Sequence, residues 1–383
     1  MRLVVDGLIF QKDPHAGIAR LYREILPRIC DLAPDLQVTL FVDGPLRADL
    51  PAHPHIQVKQ TPAVRRTLRL RGGWRTALYP FRRLASRTWG FARQLWLRDQ
   101  SDAIWHSTYY SLPGVWHGPQ VVTVYDMIHE QYPQFFNDPL DEVARRQKKR
   151  CIEQAAAVIC ISEATRRQVE RFYNLDHPRL RVIPVACSPA FQRLDQPGEA
   201  HPGLPPGPFL LYVGKRVHYK NFAALLDGYS QWEGRGAAGL VVVGEPWSRA
   251  EQQYLQAAGL VQQVRLLSHV DDVALCRLYN SALALVFPSL EEGFGLPLLE
   301  AMACSCPIVA SSIPSTLEVA ADCPIYFETG QRESLLAALD QALLTGRTSH
   351  RVEAGLEWVK RYSWELTARL TLQVYQDVWK ETG

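Results

Sequence analysis

From Ala282 the chain runs through an apolar stretch to Phe287 and then reads Ser289-Leu-Glu-Glu292-Gly-Phe-Gly-Leu-Pro297-Leu-Leu-Glu300-Ala-Met-Ala303. The apolar run predicts a buried strand, Gly293-Phe-Gly295 a flexible turn, and Pro297 the first turn of a helix. Amides at such a helix start lack intrahelical acceptors and form a site for an anion such as a diphosphate. Glu292 in the loop and Glu300 about one turn inside the helix bracket that site. Carboxylates repel phosphate but accept hydrogen bonds from the hydroxyls of a sugar or ribose. Two glutamates at this spacing alone would be ordinary surface residues. Combined with the glycines, the proline and the following Ala301-Met-Ala-Cys304-Ser-Cys-Pro307-Ile-Val-Ala310, they point to a sugar-nucleotide site.

A chain of 383 residues exceeds one usual core, so two domains are expected. The strand-like runs Leu3–Asp6, Gln37–Val42, Ala103–His106, Val121–Tyr125, Val158–Ile161 and Leu180–Ile183 alternate with helical patterns such as Gly17–Cys30 and Ser162–Tyr173. Residues 194–208 then carry five prolines and three glycines, which neither a helix nor a central strand accommodates. A second alternating series begins at Phe209–Gly214 and continues through Leu240–Gly244, Val264–Leu267, Ala282–Phe287 and Pro307–Ala310. The expected fold is α/β, with Rossmann-like doubly wound units at 1–193 and 209–364 joined by a linker at 194–208. Sheets of this kind bind ligands at the C-terminal ends of their strands.

Hydrophobic residues make up 47% of the chain and charged residues 21%, ordinary for a folded soluble protein. No apolar run approaches the length of a bilayer span, and Met1-Arg-Leu-Val-Val-Asp6 has a strand pattern rather than a signal-peptide layout. The eight cysteines include no Cys-x-x-Cys pair, so buried free thiols in a reducing cytoplasm are expected. Net charge is +3, yet ten arginines and no acid fall between Val64 and Arg98, interleaved with Trp74, Tyr79, Phe81, Trp89, Phe91 and Trp96. This composition suits the anionic headgroups of an inner-leaflet membrane surface and equally a solvated arginine face over core aromatics. No nucleic-acid motif accompanies the charge.

Phe209-Leu-Leu-Tyr-Val-Gly214-Lys-Arg-Val-His-Tyr-Lys220-Asn221 predicts a strand, a glycine turn and a cluster of cations. Fixed cations there would stabilise charge developing on a departing nucleoside diphosphate. Neither an Asp-x-Asp motif nor a metal-spaced His, Cys or carboxylate cluster occurs, so metal-independent chemistry with no cofactor is expected. A dinucleotide-dependent oxidoreductase would need Gly-x-Gly-x-x-Gly after a strand, which neither half supplies. A non-catalytic nucleotide-sugar sensor would be marked by loss of Lys220, Glu292 or Glu300, and all three are present.

In the first half, Asp13-Pro-His15-Ala-Gly17 follows the first strand and should face the cleft as a turn. Val124-Tyr125-Asp126-Met-Ile-His129-Glu130 ends another strand. An aspartate at a strand end, such as Asp126, suits a helix cap, and a lone histidine, such as His129, a structural place. Ser162 reads as a helix cap.

The Glu-x7-Glu pattern enclosing Gly-Phe-Gly-Leu-Pro resembles the signature of the retaining glycosyltransferases of family 4, and more specifically their mannosyltransferase-like group. The resemblance is strongest from Phe209 to Phe327 and weakest between Val64 and Asp99. It implies the GT-B fold, two Rossmann-like domains facing a central cleft, with a last helix at about 365–383 packing back on the N-terminal domain. It also implies that Glu292 contacts the donor sugar and Glu300 the nucleotide ribose, while the amides of Phe294, Gly295 and Leu296, beside Gly293, hold the diphosphate. By the same resemblance Arg216 (or Lys215) and Lys220 are the phosphate cations, and Gly17 belongs to a donor-side glycine loop. It places Asp126 and His129 at the border of the reaction centre for acceptor or donor-sugar contact, with acceptor deprotonation also implied for Asp126. His269 and Val270 lie in the loop whose backbone reads the base. The implied activity moves a hexose from a nucleotide sugar to a saccharide or lipid-linked acceptor, with mannose from GDP-mannose the first expectation and a UDP-sugar the alternative.

Overall fold

Strands that are buried on both faces read as continuous apolar runs, and helices must cover those faces. The computed structural model, which describes residues 1–13, 17–44, 49–61, 96–100, 102–114, 116–175, 177–196, 203–205 and 207–382, is built this way throughout. Most of the arginine- and tryptophan-rich stretch, the Pro14-His15-Ala16 turn and part of the 194–208 segment lie outside the described residues.

The first sheet has seven strands: β1 (Arg2–Asp6), β2 (Gln37–Asp43), β3 (Ile56–Thr61), β4 (Ile104–Ser107), β5 (Gln120–Val124), β6 (Ala157–Cys160) and β7 (Leu180–Val182). Their order is β3-β2-β1-β4-β5-β6-β7, and all of the pairs are parallel. The second sheet contains β8 (Phe209–Val213), β9 (Gly239–Val243), β10 (Val264–Leu267), β11 (Ala284–Phe287), β12 (Ile308–Ser311) and β13 (Ile325–Phe327). It is ordered β10-β9-β8-β11-β12-β13, again parallel.

Strand order reverses at β1/β4 in one sheet and at β8/β11 in the other. Reversal leaves a crevice beyond the strand ends, because neighbouring crossovers leave in opposite directions. The stretches after β8 and β11 are the two cation and glutamate segments singled out in the sequence.

The last helix, Trp364–Thr382, packs on the helix Gly17–Leu32 of the first sheet's layer. Its Tyr375 hydroxyl is bonded to Nδ1 of the buried His106, whose Nε2 is bonded to Thr123 Oγ1 at 2.9 Å. Thr367 donates to the Pro184 carbonyl at 2.8 Å, and Arg28 pairs with Glu365 at 2.8 Å. The eight cysteines are free thiols, seven of them buried. Among the described residues no helix is long and apolar enough to cross a membrane.

Strands β3 and β13 were not read in the sequence. Ile56-Gln-Val-Lys-Gln-Thr61 is an edge strand with mostly exposed side chains, so it lacks the apolar run that marks the buried strands. Strand β13 is three residues long, too short to show a period.

Candidate active site

Gly295 adopts φ +103°, a left-handed conformation that glycine reaches without strain, and this bends the chain from β11 into the helix Leu296–Ala303. Pro297 sits in the first turn, where its missing N–H costs nothing. The amides of Phe294, Gly295 and Leu296 donate to no protein acceptor among the described residues. They open, with the start of the helix Gly17–Leu32, onto a cavity of about 290 Å³ between the two sheets' layers. Two positive helix ends therefore converge on one small space. Gly17 lies against Leu296 across it: a Cβ built on Gly17 would sit 2.7 Å from Leu296 Cδ1.

Lys220 and Glu292 both line this cavity and form a bidentate ion pair, Nζ to Oε1 at 2.6 Å and to Oε2 at 2.8 Å. Ser289 Oγ donates to the same carboxylate at 2.6 Å. The pair is held by a backbone bond between the two loops, from Leu290 N to Tyr219 O at 2.8 Å. With the glutamate side chain 9% exposed and the lysine 22%, water screens the pair little.

Glu300, four residues into the helix, is not among the residues lining this cavity; the Tyr279 hydroxyl donates to it at 2.8 Å. Burial pushes its carboxyl up to about 7, against the opposing pulls of Tyr279 and Arg20. Arg20, from the Gly17–Leu32 helix, pairs across the cleft with Asp272 at 2.8 Å.

Arg216, expected at the phosphates, is not among the residues that line this cavity. Its guanidinium is turned away from the cavity onto Glu251, with Nε to Oε1 at 2.5 Å, and onto the carbonyls of Glu245 and Pro246 at 3.0 Å each. It also lies over the Trp247 ring at 4.5 Å, and only 6% of the side chain is exposed. A planar donor fork with this many acceptors is a structural brace. Lys215 is the other candidate: its side chain is 62% exposed and reaches Asp13 of the first sheet's layer at 3.3 Å.

Asp126 lines the cavity, and its Oδ1 accepts from Ile128 N at 3.2 Å in an Asx turn; the N-cap of the helix Ile128–Gln131 is Met127 rather than this aspartate. Its carbonyl accepts from Lys148 Nζ at 3.1 Å. His129 does not line the cavity; its ring packs on Phe136 at 4.0 Å, and burial and the nearby Lys148 hold its pKa below the ordinary value. His269 adopts φ +59° in the turn after β10, and Ser268 Oγ donates to the Gly244 carbonyl at 2.9 Å. Val270 beside it packs against the core.

Sequence reasoning missed several partners. Lys148 and Glu130 form a buried ion pair at 2.7 Å under the Asp126 loop, with Tyr173 donating to Glu130 at 2.7 Å. Nothing marked Lys148 within its run of basic residues. Ser162 is indeed a helix cap, accepting from Thr165 N at 2.9 Å, but its hydroxyl also donates to the Gly293 carbonyl at 2.6 Å. Rings meet across the mouth of the cleft as well, Phe135 stacking on His218 at 5.0 Å and Phe136 on Tyr219 at 6.4 Å. Among the described residues no group of three or more His, Cys, Asp or Glu side chains has the geometry to hold a metal ion.

Known proteins resemble this chain in sequence or in fold. Residues 33–190 match the family model described as Glycosyltransferase Family 4, and residues 201–355 that described as Glycosyl transferases group 1. O-antigen chain mannosyltransferase B of Escherichia coli is 30% identical over 299 residues, covering 74% of this chain and 77% of the relative. O-antigen chain mannosyltransferase RfbU of Salmonella typhimurium is 27% identical over 57% of this chain and 60% of its own. Sucrose-phosphate synthase from Thermosynechococcus elongatus has the same fold, with a TM-score of 0.73 at 20% identity over 100% of both chains. WaaG, a glycosyltransferase involved in lipopolysaccharide biosynthesis, matches with a TM-score of 0.68 at 15% identity over 98% of this chain and 99% of that one. Parallel sheets in the order seen here, the two family matches in series and the relative spanning three quarters of the chain agree: this protein belongs to glycosyltransferase family 4 and has the GT-B fold.

Proposed function

We propose that this glycosyltransferase retains anomeric configuration while moving a hexose, mannose first among candidates, from a nucleotide sugar to a saccharide or lipid-linked acceptor in cell-surface polysaccharide or glycolipid assembly. The observation that carries the reading is the Lys220–Glu292 pair beside three uncovered amides at a helix start. A cation and free amides suit a diphosphate, and a carboxylate next to them suits sugar hydroxyls. The two O-antigen relatives named as mannosyltransferases support the choice of sugar and the class of acceptor.

In this mechanism the donor diphosphate takes Lys220 from Glu292, and the freed carboxylate accepts from the sugar's hydroxyls. Lys215 leaves Asp13 for the same phosphates. The bond between the sugar's C1 and the phosphate oxygen breaks as the acceptor oxygen bonds to C1 from the same face. The acceptor's proton passes to the departing phosphate oxygen, whose charge Lys220 and the helix amides stabilise. Glu300 holds the ribose, the backbone at His269 and Val270 reads the base, and Asp126 orients the acceptor from the opposite wall.

Transfer proceeds without a divalent ion in this reading, and the enzyme works at the inner face of the membrane, docked through residues 64–98. Nucleotide release measured over UDP-, GDP- and dTDP-sugars tests the donor class. Release from none of them, with nucleoside diphosphates bound, would leave a non-catalytic sensor. Activity abolished by chelator and restored by Mg²⁺ or Mn²⁺ would remove metal independence. Equal vesicle flotation of the parent and a variant with four of the 64–98 arginines made Glu would remove the docking role.

A further inference from the structure

We infer that Ser162 and Thr165 are positioning residues for donor binding, acting through the Gly293–Phe294 peptide rather than on the substrate; the inference rests on the cavity being a nucleotide-sugar site. The helix Glu163–Tyr173 belongs to the first sheet's layer, and residues spaced by three lie along one face of it. Ser162 Oγ donates to the Gly293 carbonyl at 2.6 Å and Thr165 Oγ1 to the same oxygen at 3.2 Å. A carbonyl has two lone pairs, and both are used. One turn on, Gln168 Nε2 donates to Glu291 at 3.0 Å. The second sheet's layer answers with Glu318, whose carboxylate accepts from Glu163 N at 2.7 Å and Ala164 N at 2.8 Å, two amides the helix cannot satisfy itself.

The consequence follows from peptide planarity. In a trans peptide the C=O and the next residue's N–H point in opposite directions. Fixing the Gly293 oxygen toward the helix therefore directs the Phe294 N–H away from it. Phe294 lines the cavity, and its amide has no protein acceptor among the described residues. A loop with glycine on both sides of Phe294 has little local reason to keep that orientation. The orientation is imposed from the other layer, by two hydroxyls that are themselves buried. Opening the cleft removes both bonds and releases the peptide, so affinity for the diphosphate is coupled to closure.

Two substitutions separate this role from the helix cap. Ser162→Asp keeps an N-cap acceptor but has no proton for Gly293, and Thr165→Val keeps shape while losing the hydroxyl. Binding of GDP and UDP, and of guanosine and uridine, is compared by calorimetry or competition for the parent, each variant, the double variant and Lys220→Ala. Each single variant is expected to lose roughly five-fold in diphosphate affinity, the worth of one ordinary hydrogen bond, and the pair at least ten-fold. The nucleosides, which lack the phosphates, should change by less than about two-fold. Unchanged diphosphate binding in the double variant, with Lys220→Ala impaired, overturns the positioning role alone. An equal loss for nucleoside and diphosphate also overturns it, because damage to the helix would act on both. Lys220→Ala binding as tightly as the parent instead removes the site reading and the inference with it.

Discussion

Gly293 meets the Tyr125 carbonyl across the cleft with no room for a methyl group: a Cβ built on the glycine would lie 1.6 Å from that oxygen and 3.3 Å from Asp126 Cα. The neighbour is backbone of the other layer, which no rotamer change can move. Gly293 is also not among the glycines held at positive φ, so its own loop would tolerate alanine. Gly293→Ala should therefore leave each half folded while preventing closure. Transfer should fall by roughly 10²-fold or more, since misplacement of about 1 Å costs that much. Steady-state kinetics and small-angle scattering check it, and full activity with an unchanged radius of gyration would show that the observed closed contact is not the working state.

Lys220→Met should depress kcat/KM by roughly 10²- to 10³-fold, the usual loss for one group stabilising developing charge. Its structural effect should be smaller than its kinetic one, because Glu292 retains the bond from Ser289 at 2.6 Å. Restored turnover with a donor carrying a better leaving group would locate the defect at bond cleavage. An unchanged kcat/KM would remove Lys220 from the reaction.

Arg216 and Lys215 should part company. Arg216→Gln breaks the brace to Glu251 and the Glu245 and Pro246 carbonyls, so it should cost about 1–3 kcal/mol of stability by leaving those acceptors without their donor. Lys215→Ala should leave stability nearly unchanged, as befits an exposed pair, and weaken diphosphate binding several-fold. Denaturant melts and calorimetry separate the two. The reverse pattern would return Arg216 to the phosphates.

Glu300 makes stability depend on pH. Its carboxyl is pushed up to about 7 from an ordinary 4.5. Between those values the folded protein holds a proton that the unfolded chain has released, so stability is full below 4.5 and falls as pH rises through 7. Glu300→Gln keeps a partner for Tyr279 without the buried charge. It should flatten this slope and exceed the parent above pH 7 by about 2–3 kcal/mol, while weakening nucleotide binding. An identical difference between variant and parent at pH 5 and pH 8 would show that Glu300 is charged throughout.

His106 acts in the opposite sense. Burial lowers it to about 3 from 6.5, so the unfolded chain takes up a proton that the folded one refuses. Stability should be full above 6.5 and fall as pH drops toward 3, by roughly 3–5 kcal/mol at the acid end. Because His106 ties Tyr375 of the last helix to β4 and β5, that helix should be the first element to lose protection in hydrogen exchange at acid pH. Uniform loss across the protein would count against a role for this histidine.

Much of the molecule was legible residue by residue. Buried parallel strands carry their signal in short apolar runs such as Leu210–Val213, and the run from Gly293 to Glu300 encodes its own bend through the conformations glycine and proline permit. The edge strand Ile56–Thr61 was not legible, since its side chains face solvent and follow no apolar pattern. Lys148 was indistinguishable from a solvated charge and Arg216 was read as a phosphate cation, because what they touch lies 18 and 35 residues away along the chain.

Taken by itself, the sequence determined the local pieces: which runs become strands, where a helix begins with uncovered amides, and that Glu292 and Glu300 stand on either side of that beginning. Backbone conformation and apolar periodicity are short-range properties, and neighbours along the chain suffice to set them. Only the tertiary structure decided that Lys220 pairs with Glu292, that Arg216 turns to Glu251, and that Ser162 and Thr165 hold the Gly293 carbonyl from the opposite layer. Hydrogen bonds and ion pairs act over a few ångströms in space, and folding, not chain order, chooses which groups come that close.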